Sequence, residues 1–300
     1  LRSPLHHEAI ETGDPDRPLV EAARDGDKAA LEQLIVVHQP WIYNIAFRMV
    51  MDNDDASDIT QEILIKIITN LALYDPQKGA FRTWVYRIVV NYVLNMKKKK
   101  FEHRINDFDA FVAAIERLPD HSDYSHPEAA LLAEEVKTGC MLGMLLCLKR
   151  PERIVFLLGG VFGVQDAVGA EIMAISRENF RQILSRARKK VRHYMHGTCG
   201  AINPDNRCRC AHKVKSFLDL GMMDAQRLRY HQPMTRPVKA MIGARLMDFQ
   251  ESYYAPFLAN FREQPFYDSP DVTDWLRKLL ETDAFKEIFN LDDQRTIQGE

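Results

Sequence analysis

Apolar residues recur every three to four positions through most of the chain, the spacing of helices that each bury one face, so the pattern predicts an all-α protein. Between Val20 and Met51 the set Ala30, Leu31, Leu34, Ile35, Trp41, Ile42, Ile45, Ala46 and Met49 reads as a long helical hairpin or a kinked helix. Pro40 is expected to bend it, because proline lacks a backbone donor and crowds the preceding turn. MDNDDASD is a turn, with Ser57 or Asp58 starting the next helix. That helix, ITQEILIKIITNL, buries Ile59, Ile63, Ile67 and Leu71 and presents Asp58, Gln61, Glu62 and Lys66. After the Pro/Gly turn YDPQKGAF, the residues Phe81, Trp84, Val85, Ile88, Val89, Tyr92, Val93 and Met96 fall at offsets 0, 3, 4, 7, 8, 11, 12 and 15, one face of a helix. Phe81 and Trp84 are core positions on that spacing. The opposite side carries Arg82, Tyr86, Arg87, Asn91 and Asn95, then Lys97, Lys98, Lys99 and Lys100.

Residues 101–128 lose the period. Phe101 to Leu118 can form a short helix, but LPDHSDYSHPE holds turn residues only and reads as a flexible linker. An apolar helix over Ala129 to Cys147 leads into Ile154 to Arg192, three short helices. In the last of these Phe180, Ile183, Leu184, Ala187 and Val191 share one face, while Arg177, Arg181, Arg186, Arg188, Lys189, Lys190 and Arg192 stand against a single acid, Glu178. Such a face is an electrostatic footprint for phosphate. A helix, the turn Ala174-Ile175-Ser176 and a basic helix that Ser176 can cap is the order of a helix-turn-helix, which sets its second helix in a major groove.

Composition sharpens this little. The chain has 300 residues, 46% hydrophobic and 27% charged, enough for two or three domains. No apolar run reaches the roughly 18 residues of a membrane span, and the start, LRSPLHHEAIETGDPDRP, is polar and Pro-rich, unlike a secretion leader. The net charge of −2 conceals basic clusters at 97–100 and 177–192 and acidic ones at 52–62 and 102–123. Five cysteines without an export signal point to a reducing, cytoplasmic setting.

Two stretches carry a resemblance. ASDITQEILIKIITNLALYDPQKGAFRTWVYRIVVNYVLNMKKKK, with its D-x-x-Q-E helix, D-P turn and F-x-x-W-x-x-x-I-x-x-N helix, resembles region 2 of bacterial RNA polymerase sigma factors of the extracytoplasmic-function (ECF) group. VFG, AEIMAIS and R-x-x-L-x-R-A-R-K resemble region 4 of the same group. Gly169, where a branched apolar residue is usual, and Ala174, where the turn usually has Gly, depart from it. The resemblance implies a disordered segment at 1–19, region 2 at 20–100, a linker at 101–128, region 4 at 129–196 and a helical, Cys-containing extension at 197–300. It implies a factor that docks on core RNA polymerase through Asp58, Gln61, Glu62 and Lys66. It further implies contact with unpaired promoter bases and backbone through Lys78, Arg82, Tyr86, Arg87, Asn91, Lys97 and Lys98. Duplex DNA at the minus-35 element would fall to Arg177, Glu178, Asn179, Arg181, Gln182, Arg186, Arg188 and Lys189. The alternative is a helix-turn-helix regulator that works without polymerase.

The extension adds a separate chemistry. Cys199, Cys208 and Cys210, spaced C-x8-C-x-C, offer zinc three thiolates, with His196 or His212 as a fourth ligand. A redox pair and plain free thiols are the other readings. A similar C-G-x-x-N-P-x-N-x-C-R-C element occurs in some of the resembled group, which implies a shared structural role. Two apolar faces follow, Val238 to Tyr253 and Trp275 to Phe289, around the aromatic stretch YAPFLANFREQPFYDSP, a surface for a regulatory or recruiting protein or for the preceding domains. No Gly-rich phosphate loop, Ser/His/Asp set or carboxylate cluster is present, so no enzyme is expected, a zinc enzyme at the three cysteines included, and no cofactor is required.

Overall fold

The computed structural model describes residues 14–105, 107–230, 236–237 and 256–282. Helix α1 (Arg17–Arg24) precedes the 23-residue α2 (Lys28–Val50), which runs unbroken through Pro40. Asp27 caps α2 by accepting from the amides of Ala29 and Ala30. Asp52, not Ser57 or Asp58, caps α3 (Asn53–Thr69), and a 3₁₀ turn at Leu71–Leu73 leads to the Asp75 loop and α4 (Phe81–Asn95). Then come α5 (Lys100–Arg104), α6 (Phe108–Arg117), α7 (Ala129–Leu146), α8 (Arg150–Val155), a π-helical turn over Phe156–Val161, α9 (Asp166–Met173), α10 (Arg177–Thr198) and α11 (Cys210–Asp219). In the tail, β1 (Arg236–Pro237) pairs antiparallel with β2 (Pro265–Phe266) between α12 (Pro256–Glu263) and α13 (Thr273–Leu280). Beyond that pairing and one isolated bridge, the regular structure of the described residues is helical, the all-α fold that the periodicity predicts. Among the described residues no helix is long and apolar enough to cross a membrane.

The second half of α2 is the axis of the molecule. Every residue from Trp41 to Val50 is buried, polar Asn44 and Arg48 included. A helix apolar all round must be enclosed on every side, and α3, α4, α7 and α8 supply part of that enclosure. The tail supplies another part. Phe266 lies 4.9 Å from Trp41 between ring centroids, Tyr267 lies 4.4 Å from Phe47, and Phe261 lies 5.3 Å from Phe156 in the π turn. Each fully buried Phe or Leu of this kind contributes about 1.5–3 kcal/mol of transfer free energy.

Polar groups follow the same route. Asn44 donates to the Tyr267 carbonyl at 2.7 Å and accepts from the Tyr267 amide at 2.9 Å, pairing with that backbone as a strand would. Arg48 donates to Asn44 Oδ1 at 2.8 Å and to the Pro265 carbonyl at 2.7 Å, and its guanidinium faces the rings of Phe162 and Tyr267. Burial pulls Arg48 down to about 10, still charged at neutral pH. The π turn leaves the carbonyls of Gly159 and Gly160 without the usual helical partners. Arg188 donates to the first at 3.1 Å, and Arg262 of α12 donates to the second at 3.0 and 3.1 Å.

Two expected boundaries move. Residues 14–19 are part of the fold, with Asp16 buried and α1 beginning at Arg17. Segment 101–128 is no free tether, for it forms α5 and α6 and buries Glu102, Phe108 and Ile115. Glu102 accepts from Arg150 at 2.7 and 2.9 Å and from Arg153 at 3.0 Å, and Arg153 also donates to the carbonyls of Leu145, Leu146 and Leu148. Burial opposes its ionisation, but the bonds from Arg150 and the Lys99 amide and the charges of Arg153 and Arg150 outweigh it, so the carboxyl lies below its usual range. The Val238 to Tyr253 face and Phe285 to Phe289 lie outside the described residues. Leu276 and Leu280 are buried against the core, as their spacing predicts.

Ala174 adopts φ 52° and ψ 42°, the left-handed region where a Cβ costs about 1–2 kcal/mol. Ala174→Gly should therefore raise the unfolding free energy in urea by about 1 kcal/mol. At Gly169 an added Cβ would stand inside van der Waals contact of the Phe180 ring, so Gly169→Ala should lower it by about 1–3 kcal/mol despite alanine's better helix propensity. Because the folded Glu102 carboxyl is depressed, its stabilisation is complete above about pH 4.3 and is lost as pH falls through the folded value. Urea titrations from pH 3 to 7 should show Glu102→Gln costing about 3 kcal/mol at pH 7 and progressively less on acidification.

Candidate nucleic-acid interface

Helices α3 and α4 pack side by side and leave a cleft along their outer edge, lined by Glu62, Lys66, Leu73, Trp84, Ile88, Asn91, Tyr92, Asn95 and Lys97 among others. On α3, Asp58, Glu62 and Lys66 are exposed and Gln61 is half-buried, so the four residues form one outward surface. Tyr92 donates to Glu62 at 2.6 Å, and Lys66 lies over the Tyr92 ring at 6.0 Å, which joins that surface to the cleft.

The α4 face differs from its sequence reading in three places. Tyr86 is fully buried, 6.1 Å from the His38 ring, so it cannot stack on a base. Both sides of α4 are covered at that height, which a one-face reading of the helix misses. Trp84, placed in the core by spacing, packs on Phe81 and Tyr74 but is only partly buried and lines the cleft together with Tyr92. Arg82 is no free cation, for its guanidinium bonds Asp16 at 2.7 Å, and Asp16 also meets His38 at 3.2 Å. Burial works against the Asp16 charge, but bonds from His38 and Arg82 prevail and hold its carboxyl well below the usual carboxylate range. Asp14 accepts from the Phe81 amide at 2.7 Å, satisfying a donor at the start of α4 that its own cap residue leaves open. These two acids, placed by sequence in a disordered segment, set the position of the cleft's inner end.

The remaining cations are accessible. Lys78 stands exposed on the Asp75 loop, Asn91, Lys97 and Lys98 are exposed along and after α4, and Arg87 is half-exposed. Arg87 donates to the Glu171 carbonyl of α9 at 2.9 Å. On α10, Ser176 accepts from the Asn179 amide at 3.1 Å, the cap its sequence predicts. Phe180, Leu184, Ala187, Val191 and Met195 face inward, while Arg177, Glu178, Asn179, Arg181, Gln182, Arg186 and Lys189 are exposed. Arg177 at 2.7 Å and Arg181 both pair with Asp166 of α9, whose carboxyl is lowered because those bonds exceed the effect of burial. Arg188 leaves the phosphate set, since it is buried on Gly159.

Cys199 and Cys208 lie side by side across an isolated parallel bridge, and Cys210 opens α11. All five cysteines are free thiols, and burial raises Cys210 to about 12. Among the described residues no group of three or more His, Cys, Asp or Glu side chains is placed to hold a metal ion. Cys199, Cys208 and Cys210 nonetheless lie near one another and near Cys140, close enough for their charges to act on one another.

Comparison with known proteins completes the description of this surface. A family model of sigma-70 region 2 matches residues 34–102, from α2 through α5. The ECF RNA polymerase sigma factor SigE of Mycolicibacterium smegmatis is 27% identical over 187 residues, 60% of this chain and 69% of its own length. The sigma-H factor of Pseudomonas aeruginosa is 33% identical over 129 residues, 42% of this chain and 66% of that protein. SigW of Bacillus subtilis is 27% identical over 178 residues, 58% of this chain and 92% of SigW. Among solved structures, CnrH in complex with the cytosolic domain of CnrY aligns with a TM-score of 0.44 at 19% identity, over 61% of this chain and 97% of that one. A helical α3–α4 unit with an outward acidic and basic surface, matched by the region 2 family and by these relatives, places the chain among the RNA polymerase sigma factors of the extracytoplasmic-function group.

Proposed function

We propose that this sigma factor holds core RNA polymerase with α3 and promoter DNA with α4 and α10, acting in the cytoplasm by binding alone and without a cofactor. The carrying observation is the α3–α4 cleft, where a partly exposed indole, three amides and lysines lie beside the outward face of α3. Asp58, Gln61, Glu62 and Lys66 dock on the polymerase. Trp84, in place of Tyr86, stacks on an unpaired base, Asn91 reads a base edge, and Lys78, Lys97 and Lys98 hold backbone phosphate. Arg82 positions α4 through Asp16. Arg177, Glu178, Asn179, Arg181 and Gln182 at the start of α10 read the major groove, while Arg186 and Lys189 hold phosphates. A polymerase-independent regulator would need neither the cleft nor the α3 face, and would bind duplex tightly by itself.

In vitro transcription with core polymerase on a panel of promoters tests these roles. Arg181→Ala should shift promoter preference by about 10- to 100-fold, the worth of one good base contact. Lys189→Ala should weaken every promoter alike and reduce the salt slope by about 1. Trp84→Ala should impair open-complex formation, with Tyr86→Phe close to wild type. Equal losses on every promoter for Arg181→Ala and Lys189→Ala, or no requirement for core polymerase, would contradict the assignment.

A further inference from the structure

We propose that residues 256–280 are a clasp in cis. Docked on α2 and on the π turn, they hold the two DNA-handling halves against each other, so DNA enters only after the clasp releases, while polymerase can dock on the closed chain. The proposal rests on the reading above and adds its regulation.

The closed state is visible at α9, an eight-residue helix packed against both α4 and α10. Its Glu171 takes the Arg87 side chain through the backbone carbonyl at 2.9 Å, and its carboxylate lies 3.9 Å from the same guanidinium. That carboxylate also stands beside Gly79 of the Asp75 loop, 3.2 Å from where a Cβ would be. Asp166, at the other end of α9, occupies Arg177 and Arg181. One helix thus places a carboxylate against guanidinium groups on each DNA face, where DNA would otherwise go. The geometry is also too short. Minus-ten and minus-35 elements lie about 25 base pairs apart, about 85 Å at 3.4 Å per pair, so halves bridged by one short helix cannot engage both.

The α9 contacts are solvent-exposed ion pairs, which hold little by themselves. The halves also pack on each other directly, α7 and α8 lying against α2 and Phe162 against Trp41, and the tail is the element that ties both of them from outside. It binds α2 through Asn44, Arg48 and the Trp41–Phe266 contact, and it binds the π turn that precedes α9 through Arg262 and Phe261. Arg277 on α13 closes the outer edge on Glu32 at 2.8 Å. Asp58, Glu62 and Lys66 on α3 remain exposed throughout, so the polymerase-facing surface is open when the DNA faces are not.

Amide hydrogen exchange of the full chain, paired with binding of a fluorescent forked DNA duplex in the absence of polymerase, tests the clasp. Arg277→Glu sets two acids against each other and should speed exchange in 256–280 and, together with it, in α4 and α9, while tightening forked-DNA binding by about three- to ten-fold. Adding Glu32→Arg should reverse both changes. Phe266→Ala should act more strongly in the same direction, and the charge pair decides the matter if that variant fails to fold. The clasp is refuted if the tail loosens without α4, or if DNA affinity stays level or falls as the tail loosens. Failure of the sigma reading would look different: no promoter-directed transcription with core polymerase, whatever the exchange data show.

Discussion

An asparagine and an arginine one turn apart, in the fully enclosed half of α2, must find partners there or the helix cannot be buried. They find them 217 and 223 residues away, in the backbone at Pro265 and Tyr267. A buried amide or guanidinium left without hydrogen bonds would cost several kcal/mol, so the docked tail stabilises the closed chain, and its release must let water reach Asn44 and Arg48. Every aromatic contact that follows, Phe266 on Trp41 and Tyr267 on Phe47, depends on that backbone being held in register with α2. An appendage joined by a free tether would leave Asn44 and Arg48 facing nothing.

The same logic repeats wherever a charge is buried. Glu102 joins the segment after α4 to α8 through Arg150 and Arg153, Asp16 joins the chain's start to α4 through Arg82, and Arg188 and Arg262 close the π turn. Each link is between elements distant in sequence, and each helps to hold in place the helices that carry the proposed DNA surfaces. Those surfaces keep their shape because pairing inside the fold has already spent some of the cations that sequence reading would assign to DNA.

What could be read from the sequence was local. Offsets of three and four set the faces of α4 and α10, Ser176 announced its cap, and Ala174 stood where a left-handed residue was needed. Gly169, a departure from the resembled pattern, makes room for Phe180. The signal that was available and passed over lies in α2, where residues 41–50 are apolar on all sides except for Asn44 and Arg48, a pattern that demands an enclosing partner. Tyr86, Arg82 and Arg188 could not be placed, because whether a polar face is solvated depends on which element covers it, and those elements come from other parts of the chain. The linker failed for the same reason, since Glu102 reads as a solubilising acid until Arg150 and Arg153 are beside it.

In the proposed clasp the tail keeps the two halves together on the docked polymerase until its release admits promoter DNA. Pulsed electron resonance between spin labels at Thr69 on α3 and Ser185 on α10, both exposed, measures that separation with and without core polymerase. The account predicts one short distance in the free protein, replaced by a longer one on addition of core polymerase and promoter DNA. An unchanged distance in the assembled, transcribing complex, or a free protein already distributed over long distances, would contradict it.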